Sequence, residues 1–241
     1  MDSGCLAIAY ETGTDDDGGL PLLRPMSQVA GRMSLQVAAW ALMRTKRGRG
    51  ILLGGVPGVM PSKVVIIGGG VSGTHAAEIA VGMRADVTIF DRNNNRLAEL
   101  DEQFRGSLKT MYSTAHSLAE AIKEADLVIG AVLIPGASAP KLISREQLKT
   151  MKPGAVLVDI AIDLHYCVAN MPGAVPRTST YALNNATLPF VLQIANKGAR
   201  AAINENPHLA HGLTVDAGKI AHQAVAHDLG EPYVRPDWLI A

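Results

Sequence analysis

Cysteine, net charge and long apolar runs are what this 241-residue sequence has least of, and each shortage excludes a class of protein. Cys5 and Cys167 are its only cysteines. That is too few for a disulfide framework, so a reducing compartment is expected. Cys167 sits in the apolar run YCVANM and reads as a small core residue. The 22 Lys and Arg balance the 22 Asp and Glu. The basic residues are also scattered, so neither a nucleic-acid surface nor an acidic partner is indicated. No stretch reaches the roughly eighteen uninterrupted apolar residues of a membrane span. The start MDSGCLAIAY lacks the basic residues of a signal peptide. The expectation is a soluble, cytoplasmic protein that binds neither nucleic acid nor membrane.

What is present centres on residues 64–91, VVIIGGGVSGTHAAEIAVGMRADVTIFD. A β-branched run at Val64 to Ile67 suits a central parallel strand buried on both faces. Gly68, Gly70 and Gly73 follow as G-x-G-x-x-G, where side chains would block a pyrophosphate. Thr74 to Met83 continues with helix formers, so the first free N–H groups and the positive dipole end of that helix face phosphate. Asp91 closes a second strand about twenty residues on, where a carboxylate accepts the ribose hydroxyls and disfavours a 2′-phosphate. That spacing predicts NAD; Arg92 is the one discordant residue, because an arginine there can serve NADP. His75, one residue past the phosphate turn, reads as a solvated first-turn side chain.

Strands and helices then alternate. The pattern predicts a helix from Asn94 to Phe104, a strand near Leu108 to Tyr112, a helix from Ser117 to Glu124 and a strand at Leu127 to Val132. A helix near Arg145 to Met151 and a strand at Ala155 to Ile162 complete the series. Such alternation means right-handed crossovers on a parallel sheet, with ligand at the carboxyl ends of the strands. Asp91, Ser113, Val132 with Leu133, and Asp163 occupy those ends. Two pieces lie outside the alternation: a long helical pattern from Met26 to Arg44, with Ser27 as its cap, and helical stretches at Tyr181 to Asn196 and Ile220 to Asp228. The fold class is therefore α/β, a Rossmann-type doubly wound parallel sheet flanked by long helices, with remnants of a second domain. The boundaries expected are 1–26, 27–178 and 179–241, the middle segment being the nucleotide domain.

Longer strings are more specific. PMSQVAGRMSLQVAAWALM, GRGILLGGVPGVMPSKVVIIGGGVSGTHAA, ADLVIGAVLIPGASAPKLI, MKPGAVLVDIAID and YCVANMPGAVPRTSTYALNNATLPFVLQIANKG closely resemble the L-alanine dehydrogenase family. The transhydrogenase α subunit is a weaker match. The resemblance implies reversible oxidative deamination of L-alanine by NAD to pyruvate and ammonium, in a homo-oligomer that is a hexamer in the family. Asp163 is then the catalytic acid that handles ammonia. Ser27, Val71, Ser72, Asp91, Arg96, Ser113, Val132, Leu133, the run Ile160, Ala161, Ile162 and Asp163, and the run Val168, Ala169, Asn170 and Met171 fall on cofactor-contacting positions. Position alone offers a blander reading for several: Asp163 as a turn former, Asn170 and Met171 as a turn before Pro172, and the seven histidines as surface or cap residues. His165, two residues from Asp163, is a weaker candidate for general acid, because the family takes its histidine from the amino-terminal domain.

The resemblance also marks departures. The family's amino-terminal substrate-binding arginine and lysine and its catalytic histidine have no counterpart, so residues 1–26 read as a remnant of the substrate domain. After Asp163 the family continues with a glycine-rich, arginine-containing loop, whereas here Leu164, His165, Tyr166 and Cys167 follow at once. Glu11 falls on a family magnesium ligand, but the partner position holds Lys197. Two functions follow: an alanine dehydrogenase impaired in turnover, or a catalytically silent NAD(H)-binding module.

Overall fold

The computed structural model describes residues 4–16, 18–132, 143–160 and 171–240. In chain order its elements are β1 (Ala7–Ile8), α1 (Arg24–Ala41), β2 (Lys63–Ile67), α2 (Val71–Gly82), β3 (Asp86–Asp91), α3 (Asn94–Phe104), β4 (Lys109–Tyr112), α4 (Ala115–Glu124) and β5 (Leu127–Gly130). They continue with α5 (Arg145–Thr150), β6 (Val156–Asp159), α6 (Pro176–Lys197), α7 (Ala199–Glu205), α8 (Pro207–His211), β7 (Leu213–Asp216), β8 (Lys219–Ile220) and α9 (Gln223–Leu229). The chain forms two compact units, the larger from Ser27 to Val175 and the smaller from the segments before and after it.

The larger unit is built on a five-stranded sheet of order β4-β3-β2-β5-β6, parallel throughout. Its strands are short and β-branched, and side chains alternate between two packed faces. Val64 and Ile66 join Val87, Ile89, Leu127 and Ile129 against Ala30, Leu35 and Ala38 of α1 and Ala76, Ala77 and Ala80 of α2. Val65, Ile67, Phe90 and Val128 pack on the opposite side against Leu118 and Ile122 of α4. Helices on both faces make the sheet doubly wound, as the alternation predicts. Below the strands, Asp126 is a shared acceptor: its carboxylate takes the Lys63 amide at 2.9 Å and pairs with Arg49 at 3.0 Å and Lys152 at 3.3 Å.

Helix starts differ from the sequence reading in instructive ways. α1 begins at Arg24, with Pro25 in its first turn, so Ser27 lies inside the helix and does not cap it. α4 begins two residues before Ser117, because Thr114 and Ser117 form a reciprocal capping box. Asn93 caps α3 by accepting the Asn95 and Arg96 amides, a signal present in the sequence and not read there.

The smaller unit has a three-stranded antiparallel sheet, β1-β7-β8, whose first pairing joins Ala7 to Val215. Ala202, Ile203, Leu209 and Leu213 are its buried centre. Trp238 closes the carboxyl-terminal segment over α7, donating from Nε1 to Asp216 at 2.7 Å while its carbonyl accepts from Asn204 at 2.9 Å.

Candidate nucleotide-binding site

Crossovers from β2 run to β3 and β4 on one side of the sheet, and β5 and β6 lie on the other. The order therefore reverses between β2 and β5, and sheets of this kind bind ligand in a crevice at the carboxyl ends of the strands flanking such a reversal. The three glycines after β2 have distinct reasons. Gly68 has φ +103°, and a Cβ there would stand 2.8 Å from Ala131 O and 2.9 Å from Val132 Cγ2, in the loop after β5. At Gly73 a Cβ would meet Gly68 O at 1.8 Å, so the turn could not close under the helix. Gly70 is different: nothing of the protein lies within 4 Å of its Cβ position. Two glycines are thus required by the protein, and the middle one faces open space of the kind a pyrophosphate needs.

Gly70 also stands at the start of α2, which has no side-chain cap and no acid in its first turn. Its amides and dipole are left for an anion. Val71 and Ser72 form that first turn, Val71 being 36% exposed. The turn is braced from one side by Asp91, whose Oδ2 accepts the Gly69 amide at 2.7 Å and whose Oδ1 accepts the Asn93 amide at 2.8 Å. It is braced from another by Arg96, which donates from Nε to Gly69 O at 2.7 Å and from Nη2 to Thr74 Oγ1 at 2.8 Å. Thr74, passed over in the sequence, lies with Oγ1 2.8 Å from Gly70 O. Arg92 is exposed, so of the two arginines near this corner it is Arg96 that folds onto the loop.

Ser113, just past β4, donates its amide to the main-chain Asp91 O at 2.9 Å, which sets it at the end of β3. Ile160 donates to Gly130 O at 2.9 Å beyond the end of β6. Gly68, Gly70, Val71, Ser72, Gly73, Asp91, Arg96, Ser113, Val132 and Ile160 thus gather at the carboxyl edge of the sheet. Ser27 is half-buried in the first turns of α1. Met171 is 3% exposed, with its side chain in the core, so it could meet a ligand only through its main chain. Leu133, Ala161, Ile162, Asp163, Val168, Ala169 and Asn170 lie outside the described residues, as do His165 and Cys167.

Away from the crevice, Glu11 is exposed in a turn. Among the described residues no three His, Cys, Asp or Glu gather where they could hold a metal. Lys197, at the position where a second ligand was expected, pairs with Glu205. His222 caps α9 by accepting the Val225 amide, one of the cap roles expected of the histidines. His75 departs from its expected solvation, with a side chain 18% exposed and Nδ1 3.0 Å from Glu78 Oε2.

Comparison with known proteins agrees with this geometry. Residues 34–164 and 164–223 match the family model described as "Alanine dehydrogenase/PNT, C-terminal domain". The chain is 53% identical over 264 residues to the alanine dehydrogenase of Mycobacterium tuberculosis, covering 100% of this chain and 71% of that one. It is 52% identical to the Bacillus subtilis enzyme of the same name, over 97% of this chain and 68% of that one. A solved structure titled L-alanine dehydrogenase superposes with a TM-score of 0.85 at 46% identity, over 94% of this chain and 69% of that one. A transhydrogenase from Sinorhizobium meliloti, at 22% identity and TM-score 0.69, shares the fold. The family match comes in two pieces that meet at residue 164, and the mycobacterial alignment is longer than this 241-residue chain. The first places a break in the family pattern at residue 164, and the second shows that the relative carries residues this chain does not.

Proposed function

The chain belongs to the alanine dehydrogenase family, and from that premise we propose that it is an NAD-dependent L-alanine dehydrogenase. The reaction converts L-alanine, NAD and water reversibly to pyruvate, ammonium and NADH with release of a proton. Bound NAD supplies the acceptor for the hydride that leaves the α-carbon. The chain's own residues do the rest. The uncapped turn of α2 holds the pyrophosphate by its amides, with Gly70 leaving the room. Asp91, oriented by two main-chain donors, accepts from the adenosine ribose and repels a 2′-phosphate. Val132 and Ile160, half-buried at the strand ends, wall the crevice against water. Asp163 is assigned the proton that moves as water adds and ammonium departs.

What carries this reading is the likeness to alanine dehydrogenases along the whole chain, joined to a crevice whose middle glycine faces open space. Purified protein should reduce NAD with L-alanine at alkaline pH, and Asp163→Asn should abolish that rate. A second reading has its own support in the break of the family match at residue 164: a catalytically silent NAD(H)-binding module. NADH binding without turnover selects it, and no NADH binding overturns both.

Hexamer formation and a cytoplasmic location are parts of the proposal that rest on family resemblance. For assembly, α1 is the candidate element. Its small residues Ala30, Gly31, Ser34 and Ala38 are buried within their own unit, so the face left for another copy carries Gln36 and Trp40. Light scattering after size exclusion measures the outcome directly.

A further inference from the structure

α1 touches the first turns of α2 at one glycine. A Cβ at Gly31 would lie 2.2 Å from Ser72 O and 3.1 Å from His75 Cβ, so no other residue fits there without moving a helix. One residue on, Arg32 reaches across the same contact. It donates from Nη2 to Glu78 Oε2 at 2.8 Å and from Nε toward His75 Nδ1 at 3.2 Å. His75 Nδ1 also lies 3.0 Å from Glu78 Oε2.

That single nitrogen faces a group that can only donate and a group that, ionised, can only accept. A neutral ring with its hydrogen on Nε2 accepts from Arg32 at Nδ1, whereas imidazolium, with hydrogens on both nitrogens, donates from Nδ1 to Glu78. Arg32 stays tied to Glu78 in either state, so the helix contact persists and the net charge of the cluster changes. It is zero with neutral imidazole and +1 with imidazolium. Among the described residues, the charged groups facing His75 are Arg32 from α1 and Glu78 from α2 itself. At 18% exposure, His75 is less screened than an open surface charge. It sits in the second turn of the helix whose start faces the pyrophosphate in the reading above.

We infer that Arg32, His75 and Glu78 form a proton-sensitive extension of the pyrophosphate site, which tightens dinucleotide binding when His75 is protonated. This rests on the nucleotide-binding reading of the crevice and adds regulation to it. A charge gained near a doubly anionic group through a partly screened path is worth on the order of three- to tenfold in affinity.

The test is the Kd of NADH by fluorescence titration from about pH 5.5 to about pH 8.5, repeated with ADP-ribose by calorimetry. ADP-ribose keeps the pyrophosphate and lacks the nicotinamide, so it removes groups at the far end of the crevice from the profile. Affinity should rise toward acid for both ligands. His75→Gln should hold the weak, alkaline value at every pH, and His75→Arg the tight, acid value at every pH. Far-ultraviolet circular dichroism checks that both variants are folded, and the wild-type profile stands as a test without them. A wild-type protein that binds NADH equally at all pH values overturns the inference and leaves the nucleotide-binding reading intact. So does a profile that His75→Gln leaves unchanged, or one seen with NADH and absent with ADP-ribose. Failure to bind NADH at any pH overturns the nucleotide-binding reading itself, and the inference with it.

Discussion

The two units of this chain hold their folds by different means. In the larger unit a five-stranded sheet is covered on both faces, and Val64 to Ile67, Ile89, Phe90, Leu127 and Ile129 are each at most 4% exposed. In the smaller unit the buried centre is Ala202, Ile203, Leu209 and Leu213, while Tyr181, Leu188, Val191 and Leu192 stand 44–65% exposed along α6. The lesson is one of self-sufficiency. Among the described residues, those expected to touch the nucleotide lie in a unit that buries its own strands. The smaller unit packs partly buried side chains such as Phe190, Ile194 and Leu239 on that centre and adds polar ties such as Trp238 to Asp216. An apolar helix face of that kind is where further chain, or another molecule, gains the most by docking.

Substitutions can break or sharpen this contrast. The largest effect is expected of Gly73→Ala, whose methyl would sit 1.8 Å from Gly68 O. Overpacking a site with no room costs about 3 kcal/mol, so Tm should drop and NADH binding vanish together. Gly70→Ala is its control, because nothing crowds that position. It should leave Tm unchanged and lose NADH, and retained binding would remove the pyrophosphate from this turn. Next, Ile203→Ala opens a hole in the small core and costs about 3 kcal/mol in chemical denaturation. NADH affinity should survive it, because the residues expected to touch cofactor lie in the larger unit apart from the undescribed stretch. Asp91→Ala removes the acceptor for the Gly69 amide as well as the ribose contact. About 2 kcal/mol of lost hydrogen bonding predicts roughly thirtyfold weaker NADH binding.

The smallest effect belongs to pH and to the smaller unit. Burial, and then the charge of His211, lowers the pKa of His222 below the ordinary histidine value. The unfolded chain therefore binds a proton more readily than the folded one. The cap His222 makes on α9 contributes fully above the ordinary histidine range, and its contribution is lost as pH falls through the lowered folded value. Tm should sag slightly on acidification, and His222→Asn, which keeps a capping oxygen without the titration, should flatten that slope.

Most of the larger unit was legible because its signals are local. A β-branched run, three glycines, a helix and an acid lie within 28 residues, and the sheet places them as their order predicts. The bracing of Gly69 by Arg96 was not legible, because it joins positions 27 apart through a side chain whose reach no pattern records. His75 was misread for the same reason: its partner Arg32 stands 43 residues earlier, on a helix whose approach depends on Gly31. In the smaller unit β1, β7 and β8 escaped notice because two of them are two residues long and β1 finds its partner some two hundred positions away. Such strands are made by pairing and leave no period in the sequence.

The strand order β4-β3-β2-β5-β6 also sets a timetable. A chain emerging from its amino end can pair β2 with β3 and β3 with β4 through short crossovers, and with them it has the glycine turn, Asp91 and Arg96. β5 must instead close a loop of about 60 residues onto β2, the slower kind of contact to form. Until Ala131 and Val132 arrive, Gly68 has no neighbour on its far side. During synthesis, then, the phosphate turn exists before the crevice does. A dinucleotide added to refolding protein should speed the steps after β5 docks and leave the earlier ones untouched.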